Sequence, residues 1–148
     1  LKDLKSVIED VEVHPAARAK APTGVARSPG MKHRHYAPRA PMILVEGRVD
    51  DIVKKVRQLT QKYGGKGVGI MATEETARSY DLGIVRVVGS RLEPRTIARN
   101  LFETLREFDR LGVRLIIAEG VEEEGIGLAI MNRLRKAAGY NIVDASLG

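Results

Sequence analysis

The sequence contains no cysteine and no tryptophan, and only 4% of its residues are aromatic. Without cysteine there are no disulfides and no thiolate metal sites, which excludes the small stapled domains typical of secreted proteins. No apolar run approaches the ~20 residues that span a bilayer, and no signal-peptide pattern is present. The expectation is a cytoplasmic protein with no membrane contact. Its 148 residues, 43% of them hydrophobic, give room for one domain with a real core plus an additional piece.

A further absence is local. Between His14 and Val45 there is no Asp or Glu at all. That run holds six of the Lys and Arg residues (Arg18, Lys20, Arg27, Lys32, Arg34, Arg39), all three histidines and five of the six prolines. Elsewhere the remaining 19 Lys and Arg balance the 19 Asp and Glu, so the net charge of +6 resides in this segment. Its prolines remove backbone donors and push their predecessors away from helical angles, so residues 14–41 read as an extended linker or arm. Within it Lys32, Arg34, His35 and Tyr36 are packed between Pro29 and Pro38. Such side chains suit gripping an anion while stacking on a flat ring, although an ordinary basic linker would share this composition.

Before the arm, Leu1, Leu4, Val7 and Ile8 share one helical face, and Val11 to Val13 is a short strand pattern. Elements this short do not bury themselves, and the chain starts at Leu1. Residues 1–13 are therefore expected to be the tail of a preceding domain.

After the arm the pattern turns to regular α/β alternation over residues 42–148. Strands are expected at Met42–Val45, Val68–Ala72, Ile84–Val88 and Leu115–Ala118, with Ile142–Val143 as a final edge strand. Helices are expected at Asp50–Tyr63, Glu93–Leu111 and Gly125–Ala138. Asp50 is the expected N-cap of the first, Pro94 falls in the first turn of the second, and glycines at 64, 112 and 139 are the stops. The second helix has Ile97, Leu101, Leu105, Phe108 and Leu111 as its apolar stripe, and the third has Ile126, Ile130, Leu134 and Ala137. The run Leu115-Ile116-Ile117-Ala118 is apolar on both faces, as a central parallel strand should be. The fold class is α/β: a three-layer Rossmann-like domain with a largely parallel sheet, preceded by an extended basic linker.

Two glycine-rich stretches invite a nucleotide reading. Gly64 to Gly69 follows a helix and precedes a strand, the reverse of the order a phosphate loop needs, so it reads as a turn. Gly120 to Gly127 lies correctly between a strand and a helix, but Glu119, Glu122, Glu123 and Glu124 there repel phosphate. These carboxylates suit a cation, an amine or a basic partner surface, or else form a solvated acidic loop. His33 and His35 alternate on an extended segment, with neither Cys nor carboxylate beside them, which argues against a metal. No catalytic constellation is discernible in the chain.

The motif Ser28-Pro29-Gly30-Met31-Lys32-His33-Arg34-His35-Tyr36-Ala37-Pro38 resembles the interdomain linker of two-domain L-threonylcarbamoyladenylate synthases. Two later stretches share the resemblance: Gly89-Ser90 leading into Ile97 to Phe102, and Gly125 to Leu134. The similarity extends from about Val11 to Gly139, with His33 standing where that family more often has tyrosine. The resemblance implies the C-terminal part of an enzyme with a YrdC-like catalytic domain, absent here, that forms threonylcarbamoyl-AMP from L-threonine, bicarbonate and ATP. The product would serve tRNA threonylcarbamoyladenosine modification, a nucleotidyltransferase activity that this chain alone would lack. ATP, with Mg, would be a substrate of the whole enzyme, and no cofactor is expected in this chain. The linker would act as an active-site lid, with Lys32, Arg34, His35 and Tyr36 touching nucleotide and L-threonine, and the Rossmann-like domain would be regulatory.

Two other readings stay open. One is an α/β module whose basic arm binds RNA through phosphate neutralisation. The other is a ligand sensor with its site at the carboxyl ends of strands near Gly89 and Gly120. Ser90, Glu119 and Asn132 are the candidate ligand-facing residues there.

Overall fold

A computed structural model describes residues 37–147. The expected terminal helix and strand within residues 1–13 lie outside the described residues, as does the arm up to Tyr36. In chain order the described elements are β1 (Met42–Glu46), α1 (Val49–Lys62), β2 (Val68–Thr73), a single 3-10 turn at Ala77–Ser79, β3 (Ile84–Gly89), α2 (Pro94–Leu111), β4 (Leu115–Glu119), α3 (Ile126–Ala137) and β5 (Ile142–Asp144).

The five strands form one sheet in the order β3-β2-β4-β1-β5, and every pairing is parallel. β4 is the central strand and all five of its residues are buried, as its two-sided apolar sequence requires. Successive strand residues point to opposite faces and divide the core in two. Met42, Leu44, Met71, Ile116 and Ala118 join α2 and α3 on one face. Ile43, Val45, Ile70, Leu115 and Ile117 join α1 on the other.

The crossover β1–α1–β2 steps over β4 in one direction, whereas β3–α2–β4 and β4–α3–β5 step the opposite way. Right-handed crossovers running in opposite directions must use opposite faces, which produces the three layers. The chain therefore leaves the neighbouring strands β1 and β4 toward opposite faces, and a crevice opens between their carboxyl ends.

The end of the arm is part of this domain. The Arg39 backbone N–H donates to Asp109 Oδ1 at 2.9 Å, the Pro41 carbonyl accepts from the Ile116 N–H at 2.9 Å, and Ala40 packs on the core.

The helix ends correct three expectations. The N-cap of α1 is Arg48, with extended backbone angles and no side-chain capping bond. Asp50 lies inside the first turn with Asp51, where a carboxylate meets the positive end of the helix dipole without capping it. Leu111 is 44% exposed, because the stripe of α2 reaches past the sheet in its last turn. Ile126, at 40%, likewise projects from the first turn of α3, where Gly127 and Met131 face inward with Ile130 and Leu134 and Ala137 is half-buried. Gly112 stops α2 as expected, at φ 69°, in the left-handed region that favours glycine.

Candidate functional site

The crevice at the carboxyl ends of β1 and β4 holds a cavity of about 460 Å³. Gly47, Arg48, Val49 and Asp50 line it after β1, Val121, Glu122, Glu124 and Gly127 after β4, and Arg91, Leu92, Pro94 and Ile97 after β3. The first turns of α1, α2 and α3 thus all reach this cavity, and none of the three N-caps makes a side-chain capping bond.

Close approach of these turns is built on glycine. A Cβ at Gly89 would lie 2.6 Å from the Ile97 backbone nitrogen, so only glycine lets the start of α2 sit against the end of β3. A Cβ at Gly127 would overlap the Glu122 carbonyl oxygen, which fixes the β4–α3 loop against its own helix.

Behind the cavity lies a buried polar cluster around Glu119, the last residue of β4. Its side chain is fully buried. Oε1 accepts from Thr73 Oγ1 at 3.2 Å and from Arg91 Nη2 at 2.9 Å. Oε2 accepts from Thr76 Oγ1 at 2.7 Å and from the Tyr80 hydroxyl. Burial and the adjacent Glu119 carboxylate raise the Tyr80 phenol far above its ordinary value, so it stays a neutral donor. Arg91 Nε also donates to Thr73 Oγ1 at 3.1 Å, and its side chain is only 17% exposed. A buried carboxylate thus orients the guanidinium of Arg91, a residue that lines the cavity.

The turn that carries Arg91 is tied down separately. Glu75 accepts from the Ser90 hydroxyl at 2.5 Å and from the Arg91 backbone N–H at 2.9 Å. Burial would raise the Glu75 carboxyl, but these hydrogen bonds outweigh it and hold the group below its ordinary value. The Ser90 hydroxyl in turn accepts from the Leu92 N–H at 3.1 Å.

Of the strand-end residues, Ser90 and Glu119 are brought to this region, yet neither lines the cavity. They build and hold the turn that presents Arg91. Asn132 is exposed in the second turn of α3, away from any strand end. The acidic loop divides as well: Glu123 pairs with Arg135 at 2.7 Å, and Arg135 also grips Glu46 at 2.8 and 3.1 Å. These carboxylates raise the Arg135 guanidinium against the opposing effect of burial. Glu122 and Glu124 remain exposed at the cavity mouth. Sequence reasoning missed Arg48 and Arg91 and took Asp50 only as a cap; a basic residue two positions after the end of each of two strands was the available signal.

Lys32, Arg34, His35 and Tyr36 lie outside the described residues. No group of three His, Asp or Glu that could hold a metal occurs among the described residues, and none of the described helices is long and apolar enough to cross a membrane.

Comparison with known proteins extends over nearly the whole chain. Residues 1–139 match the family model described as threonylcarbamoyl-AMP synthase, C-terminal domain. The threonylcarbamoyl-AMP synthase of Pyrococcus abyssi is 48% identical over 145 residues, covering 97% of this chain and 41% of that protein. The Bacillus subtilis enzyme of the same name is 45% identical over 118 residues, 78% of this chain and 33% of that protein. This chain therefore spans well under half the length of these curated relatives. Among solved structures, that of P. abyssi Sua5 complexed with L-threonine gives a TM-score of 0.69 at 46% identity, covering 97% of this chain and 41% of that one. A second P. abyssi Sua5 structure, with a histidine and the tyrosine after it replaced by alanine, gives 0.67 at 45% identity, covering 90% and 37%. The C-terminal Sua5 domain from Pyrococcus horikoshii gives 0.57 at 44% identity, covering 73% of this chain and 99% of that one. With an α/β fold of matching topology and a family match over 139 of its 148 residues, the chain belongs to the threonylcarbamoyl-AMP synthase C-terminal domain family.

Proposed function

We propose that this chain is the linker and C-terminal domain of an enzyme that forms threonylcarbamoyl-AMP from L-threonine, bicarbonate and ATP. The product would supply threonylcarbamoyladenosine modification of tRNA in the cytoplasm. In this reading residues 1–13 end a YrdC-like catalytic domain, residues 14–41 form a lid, and residues 42–148 are a regulatory domain. Lys32 and Arg34 grip the phosphates of ATP bound with Mg, while His35 and Tyr36 stack over nucleotide and L-threonine.

The observation that carries the reading is the family match together with the share of its relatives that the chain spans. The acid-free segment with Lys32, Arg34, His35 and Tyr36 between prolines supports the lid. So does the P. abyssi structure with a histidine–tyrosine pair replaced by alanine, since His35-Tyr36 is the only such pair in this chain. The L-threonine complex of the P. abyssi protein supports the substrate.

The test adds this chain to a separately expressed catalytic domain and follows pyrophosphate release that depends on ATP and L-threonine. This chain alone should release none, and the mixture should exceed the catalytic domain alone. Threonylcarbamoyl-AMP formation by this chain on its own would overturn the assignment of catalysis to the preceding domain.

A further inference from the structure

We propose that the cavity between Arg48, Arg91 and the Glu122–Glu124 loop binds a free amino acid as a dipolar ion, carboxylate toward Arg91 and ammonium toward Glu122 and Glu124. This gives the regulatory role proposed above a ligand, but it rests on the cavity and not on the lid.

The cavity lies at the switch point between β1 and β4, where open parallel sheets take their ligands. Its volume of about 460 Å³ is within the range of small-molecule pockets, about 300–1,000 Å³. Arg91 is the residue shaped for an anion. Nε and Nη2 are committed to Thr73 and Glu119, which fixes the plane of the guanidinium, while Nη1 has no partner among the described residues. The Glu119 carboxylate behind it is in turn saturated by Thr73, Thr76 and Tyr80. A planar guanidinium held in this way presents its remaining donors at little entropic cost, and a carboxylate is the anion that matches it. The positive dipole ends of the three helices that start at the cavity add to the same preference.

The mouth of the cavity has the opposite character. Asp50, Glu122 and Glu124 are exposed there beside Arg48, while Glu123 is paired with Arg135 instead. A phosphate or a nucleotide would meet three carboxylates on entry, and a simple cation would leave Arg91 unanswered. A molecule with both signs satisfies both ends. Val49, Leu92, Ile97 and Val121 supply apolar wall for an aliphatic body. The excess of negative charge at the mouth further favours side chains that are themselves cationic.

The experiment measures binding to the 148-residue chain by calorimetry and thermal shift, using L-lysine, L-arginine, L-leucine, succinate, inorganic phosphate and AMP as separate probes. The expected order is L-lysine and L-arginine ahead of L-leucine, with no binding of succinate, phosphate or AMP. Glu122→Gln with Glu124→Gln removes two exposed charges without touching the core and should weaken L-lysine by about three- to tenfold. Arg91→Lys keeps a cation beside Glu119 but loses the planar fork, and should weaken every amino acid by about tenfold or more. The Glu122/Glu124 variant keeps the test valid even if Arg91→Lys fails to fold. The proposal is overturned if no amino acid binds, if succinate, phosphate or AMP binds better, or if binding is indifferent to both variants.

Discussion

Four side-chain donors, from Thr73, Thr76, Tyr80 and Arg91, reach the two carboxylate oxygens of Glu119, so this residue ties the chain after β2 and after β3 to the end of β4. Removing one partner of a buried ion pair leaves the other charge uncompensated, at about 3–5 kcal/mol. Glu119→Ala should therefore lower the unfolding free energy by about that amount in urea titrations, whereas Asn132→Ala, exposed on α3, should change it by less than about 0.5 kcal/mol. Tyr80 makes the same cluster pH-sensitive in a defined direction. Its folded pKa is raised, first by burial and then by Glu119, so the folded state holds the phenolic proton more tightly than the unfolded chain does. That stability is complete below the unfolded value of about 10 and is lost as pH rises above it. Wild-type stability should fall relative to Tyr80→Phe between about pH 9 and 11; parallel curves for the two proteins would contradict this.

Glu119 also marks a limit of sequence reading. It stands next to Glu122, Glu123 and Glu124 in the chain and so reads as one of four loop carboxylates, yet its partners are 28 to 46 residues away. Nothing local distinguishes a carboxylate that ends a central strand from one that follows it.

The elements themselves were legible because each carries its own periodicity and punctuation. Leu115 to Ala118 announced a strand buried on both faces, Gly112 stopped α2 where expected, and the helix starts at Pro94, one residue after the expected Glu93. What failed were positions whose environment depends on where a helix ends relative to the sheet. Leu111 and Ile126 continue their stripes in sequence but overhang the core, and Asp50 has the chemistry of a cap while the strand exit at Gly47 and Arg48 starts the helix earlier. Helix punctuation gives a prediction of its own. Gly112 sits at φ 69° with no atom within 4 Å of an added Cβ, so Gly112→Ala meets only backbone strain. It should cost about 1–2 kcal/mol in chemical denaturation, with Gly112→Asn recovering part of the loss. Leu111→Lys should be nearly neutral in the same experiment, since that side chain already reaches solvent.

At the scale of the whole molecule, charge divides the chain more clearly than structure does. All of the excess positive charge lies in the arm, whose final residues, Arg39 to Pro41, dock on Asp109 and β4. The proposed lid, at Lys32, Arg34, His35 and Tyr36, and the proposed amino-acid cavity, at Arg48 and Arg91, use different residues of one chain. They should respond to different substitutions: lid variants should change turnover, and cavity variants should change its dependence on an added amino acid.

The most direct test of the lid uses this chain joined to a YrdC-like catalytic domain, with Tyr36→Ala, Arg34→Ala and Asn132→Ala compared by steady-state pyrophosphate release. If Tyr36 and Arg34 close over the substrates, their removal should lower kcat/KM for ATP and L-threonine by about tenfold or more, while Asn132→Ala, exposed on α3, leaves it unchanged. Wild-type kcat/KM in both arm variants would contradict the lid and return the basic segment to another partner, with RNA the first to examine.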